Sequence, residues 1–359
     1  MENGLVTKTF NVSTRFSTYK AKFVAPAWAR GYECQMGLCG LCCLTQSPSG
    51  VSCAHNANLG KAVCRFYDSE RKMCRQYSWR PTGCKKYPFA IGVEDARILI
   101  SASLECPGTN TKIDIDTDAV ANTLSEQPMD KMITLMNDHY EKAVTSPDVW
   151  MDADRVWSEL SRRVQDYYSQ KTSLPCLQEV VQLTVDTVWG AVGEESPRIP
   201  PCSLAIATKN SQGLYIAARF ETHLLGLVKV TGSKTKISLF DEKLREIRKT
   251  TIKTPTTGFP NLEMDREAQG MIRDYVSFLC NRPFLSLASI RALAENAPVP
   301  ILLQRVFAGA FAPLEVGATL VACRDKLESL DREAMREIIS FSEGNTHSIL
   351  AGSSKVHRQ

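Results

Sequence analysis

The chain has 359 residues, 43% of them hydrophobic and 23% charged, with a formal net charge of +4. That length supports two domains with hydrophobic cores of their own, and the composition excludes a disordered, collagenous or supercharged polypeptide. Cysteine is the uneven component: nine of the thirteen fall between Cys34 and Cys106, and the first 106 residues hold fourteen Lys and Arg against seven Asp and Glu.

Met1 to Lys20 carries Glu2, Lys8, Arg15 and Lys20 with no apolar run of signal-peptide length, so a cytoplasmic protein is expected. The weakly polar stretch from Pro298 to Ala322 contains Arg305, Glu315 and three prolines, which favours a packed core segment over a membrane span. In a reducing compartment, an odd number of clustered thiols with the adjacent pair Cys42-Cys43 points to metal or iron–sulfur binding rather than disulfides.

In chain order, the first 30 residues alternate as a strand or extended arm would, ending near Ala25-Pro26-Ala27. The cysteine segment follows and closes at the turn Cys106-Pro107-Gly108. Asp114 to Asp118 spaces carboxylates like a calcium loop, but Ala119 and Ser125 replace the required Gly and Glu, so a polar strand end or linker is expected. Helices are predicted over Pro128–Ala143, Asp152–Gln170 and Leu177–Val192; in the second, Val156, Leu160, Val164 and Tyr167/Tyr168 form one apolar face. Ser203–Thr208 and Leu214–Phe220 read as a hairpin, extended by Leu224–Val230 and Thr235–Phe240. A long helix is expected from Asn261, with Met264, Ala268, Met271, Tyr275 and Leu279 on one stripe and Pro283 past its end. Helical pieces at Leu287–Glu295, Ile301–Phe311 and Arg332–Ser342 precede a polar tail.

The expected architecture is α+β: a loop-rich cysteine-cluster domain over 1–118, then a mainly helical region with a small antiparallel sheet over 119–343, and a tail over 344–359. The ligand candidates form two groups. Cys34-x4-Cys39-x2-Cys42-Cys43 contains a C-x2-C step able to chelate one centre from a tight knuckle, with Gly37 and Gly40 relaxing the backbone. Cys64-x9-Cys74-x9-Cys84 is followed by Cys106; Pro81 and Pro88 restrict the chain on either side of Cys84. Phe66, Tyr77, Trp79, Tyr87 and Phe89 are expected to shield a cluster, since burial and hydrogen bonding to sulfur tune it. Arg65, Arg71, Lys72, Arg75, Arg80, Lys85 and Lys86 are expected to offset thiolate charge. Nucleic acid is the weaker reading of these cations, because the aromatics suit cluster packing better than base stacking.

These blocks, namely Cys34/Cys39/Cys42-Cys43, Cys64-Arg65-Phe66-Tyr67, Cys74-x2-Tyr77, Arg80-Pro81-x2-Cys84-x2-Tyr87-Pro88-Phe89 and Ser103-Leu104-Glu105-Cys106-Pro107, together resemble the YkgJ-like cysteine-cluster family of zinc- or iron-chelating domains. Within it they resemble the flagellin lysine N-methylase branch. The resemblance covers Cys34 to Gly108 and is faint beyond. It implies Cys34, Cys39, Cys42, Cys43, Cys64, Cys74, Cys84 and Cys106 as ligands, with Tyr77 and Arg80 beside the cofactor and Cys53 a bystander. It further implies a 4Fe–4S cluster and methylation of a protein lysine with S-adenosylmethionine. Tetrahedral thiolates also suit zinc, which would make the protein a zinc-stapled structural or interaction module; an electron-transfer or metal-handling protein is the third reading.

The remaining sequence adds no catalytic motif. There is no glycine-rich strand–turn–helix signature, Gly232-Ser233-Lys234-Thr235 lacks the upstream glycine and Gly-Lys pair of a phosphate loop, and H-E-x-x-H is absent. A lysine substrate, with a reference pKa of about 10.4, needs a proton acceptor before it can attack a methyl donor, and nothing in the sequence ranks the candidates.

Overall fold

A computed structural model describes residues 4–34, 53–56, 61–64, 66–80, 84–85, 87–94, 97–110, 114–125, 153–175, 177–193, 214–220, 224–231, 234–240, 246–253, 262–282 and 327–353, with isolated positions in 129–138, 195–198 and 310–321. The fold is α+β. Strands β1 (Leu5–Ser13) and β2 (Thr18–Pro26) form a hairpin with Leu5 opposite Pro26 and Ser13 opposite Thr18. The hairpin turn is held by Thr14, whose hydroxyl donates to the Ser17 carbonyl and accepts from the Ser17 N–H.

The short strands β3 (Cys53–Asn56) and β4 (Lys61–Cys64), then β5 (Tyr67–Asp68) and β6 (Met73–Cys74), make two small antiparallel pairs. Strands β7 (Phe89–Glu94) and β8 (Arg97–Ala102) return to the first hairpin. The resulting sheet has the order β1-β2-β8-β7, antiparallel except for the central parallel pair β2–β8. The loop-rich expectation for this segment therefore needs correcting: Ala90 to Val93 and Ile98 to Ala102 are apolar enough for a buried strand pair.

Strand periodicity gives this sheet two faces. Ala21, Phe23, Ala25, Ile98, Ile100 and Ala102 join Val12 and Phe89 in one core, closed by α1 (Thr117–Ser125) through Val120 and Leu124. Helix α1 begins where a linker was expected. Asp116 accepts the Asp118 and Ala119 N–H groups at 3.0 Å each, satisfying two orphan donors of the first turn. The boundary drawn at 118 thus falls inside a helix that packs on the N-terminal sheet. Asp114, just upstream, receives Lys8 at 3.4 Å and Arg30 at 3.1 Å.

The second core is helical and takes in Val24 of β2 and Leu104. Helix α2 (Ala153–Ser169) buries Val156, Leu160, Val164 and Tyr168, the stripe read from the sequence. On its exposed side Arg162 and Arg163 donate to Glu159 and hold that carboxyl down to about 2. Helix α3 (Leu177–Val192) packs on α2 through Val180, Val181, Val185 and Val188; its buried hydroxyls Thr184 and Thr187 donate to carbonyls one turn back.

Strands β9 (Leu214–Phe220), β10 (Leu224–Thr231), β11 (Lys234–Phe240) and β12 (Glu246–Lys253) form an antiparallel meander. The predicted hairpin partner at 203–208 and the helix predicted at 287–295 lie outside the described residues, as do parts of the helices predicted at 128–143 and 301–311.

Strand β13 (Glu263–Met264) precedes α4 (Arg266–Cys280), which the sequence reading started five residues early, at Asn261. The true start is set by Asp265, whose carboxylate accepts the Ala268 N–H at 2.7 Å. Helix α4 buries Ala268, Met271, Ile272, Tyr275, Val276, Phe278 and Leu279, more than a single stripe, as befits a helix covered on several sides. Asp265→Ala should cost about 1 kcal/mol in urea denaturation; an unchanged midpoint would show that the cap contributes nothing.

Strand β14 (Ser329–Leu330) pairs in parallel with β13, and α5 (Arg332–Ser353) closes the fold against α4. Helix α5 runs on through Gly344 to Ser353, into the segment expected as a polar tail. Among the described residues no helix is long and apolar enough to cross a membrane.

Candidate metal centre

Two stretches of chain far apart in sequence are fastened together beside Cys34. The Glu33 N–H donates to the Gly108 carbonyl at 2.9 Å. A Cβ on Gly108 would stand 2.2 Å from the Glu33 carbonyl oxygen and 3.3 Å from Tyr32 Cε2, so only glycine permits this approach. On the far side of the contact, Cys106 opens a turn in which its carbonyl accepts the Thr109 hydroxyl at 2.7 Å and the Thr109 N–H at 3.0 Å.

Tyr32 neighbours both Cys34 and Cys106. Burial pushes its hydroxyl well above the ordinary tyrosine range, reinforced by the negative charges of Cys34 and Cys106 and by a hydrogen bond with Cys34. Tyr77 approaches the same sulfur from another segment, its hydroxyl 4.0 Å from Cys34 Sγ, the outer limit for such a contact. Burial and the Cys34 charge raise Tyr77 as well, while Arg80 acts in the opposite sense. Arg80 lies over the Tyr77 ring at 3.6 Å and donates through Nε to the Tyr77 carbonyl at 3.1 Å. Two phenols therefore approach one exposed thiol, and a guanidinium packs on the second of them.

The Tyr87-Pro88-Phe89 block attaches beside the same turn. The Ser103 N–H donates to the Pro88 carbonyl at 2.8 Å, following a cis Tyr87-Pro88 bond. Phe89 meets Tyr32 edge to face at 5.2 Å. Cys74 stands opposite Tyr67 in β5–β6, whose turn is tied by Asp68 accepting the Glu70 and Arg71 N–H groups at 3.1 Å each. The Arg71 N–H, first, holds the Asp68 carboxyl below its usual range. Cys74 and Cys84 are both half-buried and Cys106 is buried at 7% exposure.

One expected shielding residue does not survive. Trp79, assigned to shielding, is 85% exposed. Arg75, assigned to offsetting sulfur charge, lies 3.7 Å from Asp68. Cys53, read as a bystander, is the register partner of the candidate ligand Cys64 in the β3–β4 pair. Tyr32 was missed altogether; its position two residues ahead of the first cysteine is the signal that could have found it.

Among the described residues no group of three or more His, Cys, Asp or Glu is close enough to hold a metal ion. Cys39, Cys42 and Cys43 lie outside the described residues. Elsewhere, Cys280 sits deep in the helical core, where burial pushes its thiol up to about 12. Because the thiolate is the reactive form, Cys280 should resist alkylation in the native protein.

Comparison with family models, with curated proteins and with solved structures finds no match to this chain.

Proposed function

We propose that the segment from Cys34 to Gly108 binds an iron–sulfur cluster of the 4Fe–4S type and that the protein uses it in modifying a protein substrate, in the manner of a lysine N-methylase acting with S-adenosylmethionine. The observation that carries the cluster reading is the meeting of Cys34 and Cys106 at Tyr32, with the backbone locked by Glu33 and Gly108. Thiolates surrounded by phenol donors and a nearby guanidinium suit a sulfur-ligated centre, because hydrogen bonds to sulfur and local charge set its affinity and potential. The ligands would be Cys34 and Cys106 with partners from Cys39, Cys42, Cys43, Cys64, Cys74 and Cys84, and Tyr32, Tyr77 and Arg80 would act on the sulfurs. A bound cluster would supply electron transfer or anchoring for a methyl donor. The methylation step itself rests on the motif resemblance and on no residue identified in the helical half.

Anaerobic purification followed by iron, acid-labile sulfide and zinc analysis tests the centre. Iron and sulfide together are expected, with both lost in Cys34→Ala, Cys74→Ala, Cys84→Ala and Cys106→Ala. Stoichiometric zinc without sulfide would establish the zinc-stapled module instead. For the activity, transfer of label from S-adenosylmethionine to lysines of a protein substrate is expected; absence of both donor binding and transfer would remove the methylase reading.

A further inference from the structure

We infer that Glu343, at the far end of the chain, is a positioning residue for Cys106. This rests on the reading of Cys106 as a ligand, but its geometry is independent of any metal. Glu343 is fully buried on α5, and one of its carboxylate oxygens accepts the Leu104 N–H at 3.3 Å, two residues before Cys106. The same carboxylate receives Arg282 Nη1 at 2.7 and 2.8 Å and the Tyr275 hydroxyl at 2.9 Å, both from the α4 end of the structure. Tyr275 also contacts the Ser342 hydroxyl at 3.2 Å, and Arg282 Nε approaches Ser101 Oγ on β8 at 3.4 Å.

The stretch leading to Cys106 is thus gripped twice by the helical half: at Ser101 through Arg282 and at Leu104 by Glu343 directly. A carboxylate placed in a core costs much to bury, and one that reaches across to a loop backbone fixes that loop as firmly as it fixes its own helix. Leu104 supplies the complementary apolar contact, packing in the helical core. The turn that presents Cys106 to Tyr32 is in this way referenced to α4 and α5 as well as to its own segment. The helical half therefore carries part of the thiol site's geometry.

The test uses the full-length chain after anaerobic metal removal, with alkylation by iodoacetamide followed cysteine by cysteine by mass spectrometry. Substituting Arg282→Met together with Glu343→Leu removes both buried charges while keeping volume, the replacement such pairs tolerate best. Loss of a charge-assisted hydrogen bond at Leu104 should speed Cys106 labelling about tenfold or more. Cys280, buried in α4, should keep its wild-type protection. Glu343→Gln, which retains an acceptor for the Leu104 N–H, should leave Cys106 closer to wild type than the double variant does. Three results would each overturn the inference: unchanged Cys106 labelling, parallel acceleration of Cys106 and Cys280, or rapid Cys106 labelling already in the wild-type protein. The metal content of the purified wild type judges the cluster reading separately, so either can fail without the other.

Discussion

Replacing Arg282 alone by Met should destabilise the protein by about 3–5 kcal/mol, the scale found when one partner of a buried ion pair is deleted. The guanidinium is 1% exposed and its partner Glu343 0%, with 2.7 Å between them. Without Arg282, the carboxylate keeps only the Tyr275 hydroxyl and the Leu104 N–H among the contacts described above. Neither supplies compensating positive charge, so the anion must unfold its surroundings, admit water or take up a proton. Domains are stable by only about 5–15 kcal/mol in total, so a loss of this size should be plain in urea denaturation. Arg282 also faces the Phe278 ring at 5.0 Å, a contact a Met side chain retains in part. Adding Glu343→Leu in the same background should recover much of the loss by deleting the stranded charge. The double-mutant cycle measures that recovery directly, and a single variant within 1 kcal/mol of wild type would show the pair to be energetically idle.

The second large effect is expected at Gly108. A methyl group there would sit 2.2 Å from the Glu33 carbonyl oxygen, backbone against backbone, so no side-chain rotation relieves it. Gly108→Ala should therefore cost at least about 1–3 kcal/mol, the range for overpacking, and should also part Cys34 from Cys106. Iron and sulfide content, or zinc if that is the metal, should fall with stability. Gly190 in α3 provides the contrast, because a Cβ there meets nothing within 4 Å. Gly190→Ala should be neutral or stabilising by up to about 1 kcal/mol, since glycine is a poor helix former. Equal behaviour of the two variants would show that the close approach at Gly108 does not matter.

Periodic elements were the legible part of this molecule. The stripes of α2 and α4 and the bounds of α3 could be read directly because each helix buries a continuous apolar face. The β7–β8 pair was overlooked because it lies inside a segment whose cysteines and prolines dominate a linear reading, although Ile98, Leu99 and Ile100 are as apolar as any strand. Asp116 was weighed as a cation ligand when it serves as a helix cap, two roles that a short acidic run does not separate. The last helical piece was ended at Ser342, but a glycine at 344 beyond the buried Phe341, Ser342 and Glu343 does not stop a helix by itself.

At the candidate centre, Cys34, Cys74, Cys84 and Cys106 were visible as residue types and Tyr77 and Arg80 as their neighbours. The approach of Cys34 and Cys106 to Tyr32 depends on the fold bringing Glu33 to Gly108. The Arg282–Glu343 pair was invisible for the same reason. Each residue alone is an ordinary charge, Arg282 just past α4 and Glu343 within α5, and only packing of α4 against α5 makes them a buried pair.

The parallel pairing of β2 with β8 has a consequence for how the chain reaches this structure. Parallel neighbours require a crossover, usually a helix of a dozen or more residues. Here the chain between Pro26 and Arg97 makes that crossover, and it contains eight of the clustered cysteines. The central strand contact is therefore high in contact order and cannot form until the whole thiol segment has been synthesised, which should make it a slow step of folding. Once formed, it pins both ends of that segment side by side. Doubling the length of such a closed loop adds only about 0.6 kcal/mol of closure entropy, so sequence can be inserted between the cysteines with little effect on the sheet that bounds them.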